Sequence, residues 1–169
     1  NPLITTTFGV GELSAVNGIA GAYAERVPVI AITGAPTRAV EKAGKYVHHS
    51  LGEGHFDSYR HMFEPITTAQ AYITTENATT EIPRVINAAL QERRPVHIHL
   101  PIDVAVSDIE VEQPFKVEKT PQQDVSQYVD MVADKLRSAK QPLIITGHEI
   151  NSFHLHDELE QFVNKTNIL

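Results

Sequence analysis

The sequence contains no cysteine. That absence removes disulfides, thiolate nucleophiles and cysteine-based zinc sites, and it accords with a reducing compartment, so a cytoplasmic location is expected. No apolar run approaches the roughly 20 residues that a membrane-spanning helix needs, and the N-terminus lacks the basic start and apolar middle of a secretory signal. A basic stripe is also missing, and the formal net charge of -7 works against non-specific binding to nucleic acid. Neither a nucleic-acid partner nor a membrane partner is expected. There is no internal repeat, no low-complexity tract and no initiator methionine. The chain starts at Asn1-Pro2, enters an apolar strand at once, and stops at Asn167-Ile168-Leu169 where another strand would begin, so it is expected to be a fragment cut at both ends.

What is present is ordinary for a chain that folds in water: 169 residues, 41% hydrophobic and 21% charged. Leu3 to Phe8, rich in isoleucine and threonine, predicts a strand that ends in the turn Gly9-Val10-Gly11. Glu12 to Arg26 predicts a helix, because Leu13, Val16, Ile19, Ala20 and Tyr23 recur at three- and four-residue spacing. Val27 to Thr33 is a continuous apolar run, the pattern of a strand covered on both faces. Strand, helix and strand in about thirty residues predict a parallel crossover unit. A long polar connection then runs from Gly34 to about Glu64, with a helical turn near His55 to Met62. A strand over Thr67–Ile73, a helix over Thr75–Glu92 and a strand over Pro95–Leu100 continue the alternation. Residues 102–123 carry charges, glutamines and prolines and predict a linker. A helix over Val125–Ala139, a strand over Pro142–Thr146 and a helix over Leu155–Lys165 predict the start of a second α/β domain.

Two segments carry candidate chemistry. A glycine turn between strand and helix is where pyrophosphates bind, but Ser14 stands where a third glycine would complete that fingerprint, and Glu12 would set a carboxylate beside the anion. That leaves a phosphate site as the weak reading and a tight turn as the plain one. His48-His49 lies in a glycine-flanked loop. Adjacent residues of an extended segment diverge, which disfavours metal chelation, whereas imidazoles in a long loop suit proton transfer at neutral pH. His97-x-His99 and His154-x-His156 lack a third ligand at sensible spacing. They are read as histidines of a strand edge and a solvated face, and no metal site is expected. Tyr23, Tyr46, Phe56 and Tyr59 would suit a pocket, a core or an interface.

TTFGVGELSAVNGIAGAYAE, HHSLGEG, RRPVHIHLPIDV and QPLIITGHEI together resemble the thiamin diphosphate-dependent 2-keto acid decarboxylases, the group of pyruvate and indolepyruvate decarboxylases. The resemblance implies a truncated thiamin diphosphate-binding α/β fold, a parallel sheet flanked by helices. It implies a partial pyrimidine-binding domain at 1–103, a linker at 104–123, and the start of a Rossmann-like central domain at 124–169. It places Thr7, Gly9 and Val10 at the aminopyrimidine ring of the cofactor, and the diphosphate and Mg2+ on a domain outside this chain. His48 and His49 would bind the substrate carboxylate region or shuttle protons during release of an aldehyde from pyruvate, indolepyruvate or a branched-chain keto acid. The parent would be a homodimer or homotetramer acting on a small-molecule 2-keto acid. The family's activating glutamate lies just upstream of Asn1 and its G-D-G motif belongs to the C-terminal domain, so the fragment alone is expected to be inactive. Two alternatives stand beside this: an acetolactate synthase-like carboligase, a group that generally lacks the paired histidines, and a stand-alone α/β ligand-binding module.

Overall fold

A computed structural model describes residues 2–111, 113–118 and 123–168. Backbone contacts divide the chain into two compact units, Asn1–Lys119 and Thr120–Leu169. Of the expected linker, residues 112 and 119–122 lie outside the described residues.

The first unit is built on one parallel sheet. Strands β1 (Leu3–Thr7), β2 (Ile30–Ala35), β3 (Ala69–Tyr72) and β4 (Val96–Pro101) lie in the order β1-β2-β4-β3. In register, Ile30 faces Leu3 on one side and Val96 on the other, and Val96 also faces Ala69. All four strands therefore end at the same edge of the sheet, near Thr7, Ala35, Pro101 and Tyr72. Helix α1 (Val10–Ala24) makes the first crossover, α2 (Arg38–Lys42) and α3 (Asp57–Phe63) lie in the second connection, and α4 (Ala78–Glu92) makes the third.

Two apolar clusters hold these layers. On one face Val85 and Ala89 of α4 pack against Ala71, Val96 and Ile98. On the other, Ile19 of α1 and Phe63 of α3 close over Ala31. Val85 and Val96 are fully buried, and each such side chain contributes about 1.5–3 kcal/mol relative to exposure. A short helix α5 (Ile102–Ala105) follows β4, and Val104 joins the α4 cluster. Farther along, the Asn87 side chain accepts the Glu118 amide at 3.0 Å and donates to the Lys116 carbonyl at 3.4 Å.

Most predicted elements recur with shifted ends. The second strand starts at Ile30 rather than Val27, because the chain is still closing α1 there: Val27 N–H bonds the Ala22 carbonyl at 2.8 Å, and Arg26 turns left-handed with φ 54°. The connection predicted as mostly loop holds α2 as well as α3. Thr37 starts α2, its hydroxyl accepting the Val40 N–H. The largest correction concerns His97 and His99. Strand β4 lies between β2 and β3, so neither residue is at an edge or in solvent; both are buried.

The second unit, taken by itself, comprises α6 (Ser126–Ser138), α7 (Glu149–Ser152) and α8 (His156–Thr166). Pro142 to Thr146, predicted as a buried strand, joins no ladder among the described residues, and Leu143 and Ile145 are 70% and 88% exposed. A strand exists only through backbone pairing with a neighbour, and this segment has none there. His154 and His156 are exposed, as expected for a solvated face. Among the described residues no helix is long and apolar enough to cross a membrane.

Candidate active-site face at the carboxyl end of the sheet

Ligands of open α/β sheets bind outside the carboxyl ends of the strands, and here that edge collects the residues singled out in the sequence. Thr7 ends β1, Gly9 sits before α1, and Val10 opens the helix with 55% of its surface exposed. Gly9 has φ 68° and ψ -121°, a conformation essentially reserved for glycine. The reason is visible in its neighbour: a Cβ there would overlap the carbonyl of His49. That carbonyl accepts the Val10 N–H at 3.2 Å, satisfying an amide that the first turn of a helix leaves without an internal partner.

The glycine turn and the double-histidine loop, forty residues apart in sequence, are thus locked to each other through their backbones. His49 has φ 68°, an uncommon left-handed conformation for a non-glycine residue. The two imidazoles meet edge to face at 4.2 Å, and the Phe8 ring lies 6.4 Å from both His49 and Phe56. His48 and His49 are exposed. Of the unassigned aromatics, Phe56 belongs to this group, Tyr59 is buried in the core, Tyr23 carries Arg94 over its ring at 4.0 Å, and Tyr46 is exposed.

Behind the turn lies a polar network that the sequence reading missed. The Glu12 side chain is 1% exposed; one of its oxygens accepts the Gly9 N–H at 2.8 Å and the other accepts the Thr33 hydroxyl at 3.0 Å. Thr33 Oγ1 also lies 2.8 Å from His97 Nε2. A hydroxyl has one proton, and Thr33 gives it to Glu12, so His97 donates from Nε2. The imidazole stacks on Phe63 at 4.2 Å and 9°, and Nδ1 is buried without a partner among the described residues. Because Glu12 occupies the Gly9 amide, the turn is not free to cradle a phosphate there.

A second cluster lies beside the first. His99 Nε2 donates to Glu41 at 2.8 Å, Tyr72 donates to the same carboxylate at 2.6 Å, and the Tyr72 and His99 rings stack at 5.0 Å. Burial first, and then the Glu41 bond, push the Tyr72 hydroxyl well above the ordinary tyrosine range. The three line a cavity of about 460 Å³ whose wall includes Arg38, Lys42, His55 and Phe56. Arg38 reaches Asp103 through its backbone N–H at 3.0 Å and its guanidinium at 2.8 Å, which holds the Asp103 carboxyl below the usual range. A sequence signal for both clusters existed: two histidines in an otherwise apolar strand need buried partners. Among the described residues no group of three or more His, Asp or Glu side chains could hold a metal ion.

A parallel sheet with a glycine turn and a histidine loop joined at its carboxyl end defines an open α/β domain with a candidate ligand-binding face at that edge. Comparison with known proteins narrows the class. Residues 2–72 match the family described as thiamine pyrophosphate enzyme, N-terminal TPP binding domain. The chain is 38% identical over 160 residues to an alpha-keto-acid decarboxylase of Mycobacterium leprae (strain TN), covering 93% of this chain and 28% of that protein. It is 33% identical over 168 residues to a pyruvate decarboxylase of Aspergillus parasiticus, covering 95% and 29%. A solved structure of an enzyme assigned as thiamin diphosphate-dependent, from Mycobacterium smegmatis, shares the fold with a TM-score of 0.80 at 19% identity, over 98% of this chain and 31% of that one. Residues 2–72 thus match the N-terminal TPP-binding domain of the thiamine pyrophosphate enzymes, and the decarboxylase relatives align along most of the chain. It spans under a third of the length of the curated relatives it matches.

Proposed function

We propose that this chain supplies the pyrimidine-binding face of a thiamin diphosphate-dependent 2-keto acid decarboxylase. The first unit would form part of the cofactor domain and the second the start of the central domain. The observation that carries the reading is the backbone lock between the Gly9 turn and His49 at the carboxyl end of the sheet, since one ring bound there would meet both segments. The pyrimidine half of the cofactor fits the residues present. Gly9 lets the backbone approach without a side chain, Val10 offers an exposed apolar contact, and Thr7 ends the strand beside them. The charged diphosphate and Mg2+ would be held by a part of the protein outside this chain, on a partner subunit of a homodimer or homotetramer.

When bound, the cofactor supplies the electron sink that a keto acid itself lacks. The chain's own residues would do the rest. Val10 and Thr7 would orient the ring, and the edge-to-face pair His48-His49 would hold the substrate carboxylate or carry the proton that completes the aldehyde. Decarboxylase names among the relatives support a 2-keto acid as substrate, and pyruvate, indolepyruvate or a branched-chain keto acid is the proposed range.

The test is steady-state kinetics of the full-length enzyme with His49→Ala, alongside a cofactor titration. Turnover should fall about a hundred- to ten-thousand-fold while cofactor affinity stays within a few-fold. Near-normal turnover would remove the pair from the chemistry.

A further inference from the structure

Glu12 is more deeply buried than any other carboxylate near this face, and no part of the proposed chemistry uses it. It cannot touch a ligand at 1% exposure. Its two oxygens are nevertheless committed in opposite directions, one to the Gly9 amide and the other to the Thr33 hydroxyl, which in turn accepts from His97. The inner end of this chain is anchored in the rigid part of the molecule: Thr33 is in β2, His97 is in the central strand β4, and the His97 ring is stacked on Phe63. The outer end is the turn that places Val10 and, through the Val10–His49 bond, the histidine loop.

Left to itself, a glycine turn is the least constrained backbone in a chain. An ionised acceptor makes a stronger hydrogen bond than a neutral one, and a buried one cannot exchange it for water. We infer that Glu12 is the positioning residue of this face, transmitting the location of the central strands through Thr33 and His97 to the Gly9-Val10 turn and the His48-His49 loop. The inference rests on the proposed cofactor reading only for its catalytic consequence. The mechanical part concerns the turn itself.

The experiment is hydrogen exchange of the full-length protein, comparing peptides from the turn and loop (8–13 and 44–56) with peptides from β2 and β4. Variants are Glu12→Ala and Glu12→Gln. Glutamine keeps an oxygen for the Gly9 amide; alanine keeps nothing. Glu12→Ala should speed exchange in the turn and loop about tenfold, the loss of one charge-assisted hydrogen bond, while the strands change less than about twofold. Glu12→Gln should recover most of the protection. Exchange that rises equally in strands and turn, or does not rise at all, would overturn the inference, and so would a glutamine variant as loose as the alanine one.

Should Glu12→Ala fail to fold, Thr33→Val reads the same chain. It removes the hydroxyl that steadies the carboxylate, and the turn must loosen several-fold more than β4 or the inference fails. In the same variants, turnover should fall in step with loop exchange while KM moves less. Loosening without any decarboxylase activity even in the wild type would leave the positioning role intact and refute the functional reading instead.

Discussion

Replacing Gly9 with alanine is the sharpest single perturbation of this structure. Two costs can be worked from the geometry. A side chain at φ 68° and ψ -121° occupies backbone space that only glycine enters freely, worth about 1–3 kcal/mol. The new Cβ also overlaps the His49 carbonyl, so the loop must retreat and the Val10–His49 bond is lost, a further ~0.5–1.5 kcal/mol. Together they amount to about 2–4 kcal/mol, or roughly 4–16 °C in midpoint for a chain of this size. Gly18 provides the control. It lies inside the same helix with open space where a Cβ would go, so Gly18→Ala should be neutral or stabilise by up to about 1 kcal/mol. Thermal and urea unfolding followed by circular dichroism would measure both. Gly9→Ala unfolding at the wild-type midpoint would mean that the turn and loop are not in contact, and the joined face would have to be abandoned.

Tyr72→Phe takes one of two donors from the part-buried Glu41 carboxylate and should cost about 1–3 kcal/mol in urea unfolding. In an ultraviolet titration Tyr72 should stay protonated when ordinary phenols ionise near pH ~10; burial raises Tyr59 as well, so in Tyr72→Phe the late signal should shrink while the step near pH ~10 is unchanged. The Arg38–Asp103 contact sets a pH dependence. The Asp103 carboxyl lies below its ordinary value in the folded state, so its stabilisation is complete at neutral pH and is lost as pH falls below about 4 and through the depressed folded value. Asp103→Asn should therefore be less stable than wild type at neutral pH, with the gap closing in acid; a gap that widens in acid would contradict the pairing.

The crossover from Leu3 to Ala35 was legible because its signals are local: a Thr/Ile strand, a glycine turn, small residues along the helix and an apolar run. The candidate site was legible only in parts. Thr7, Val10 and the histidine pair stand out by type, but nothing in a linear pattern says that the His49 carbonyl lies against Gly9. His97 and His99 were misplaced for a physical reason. Polarity in a strand usually marks solvent, and here it is balanced by Glu12 and Glu41, two carboxylates 85 and 58 positions away in the chain. Glu12 itself read as an obstacle to phosphate rather than as the residue that holds the turn. At Pro142–Thr146 the local pattern is that of a strand, yet pairing is not a local property, and no neighbour stands beside it among the described residues.

The most direct test of the joined face is a structure of the full-length protein with thiamin diphosphate bound. The aminopyrimidine ring should lie within van der Waals contact, about 4 Å, of Val10 and the Gly9 backbone, with the His48-His49 imidazoles turned toward the same pocket. A ring seated away from the Thr7–Val10 turn, or a histidine loop facing another cavity, would contradict the account.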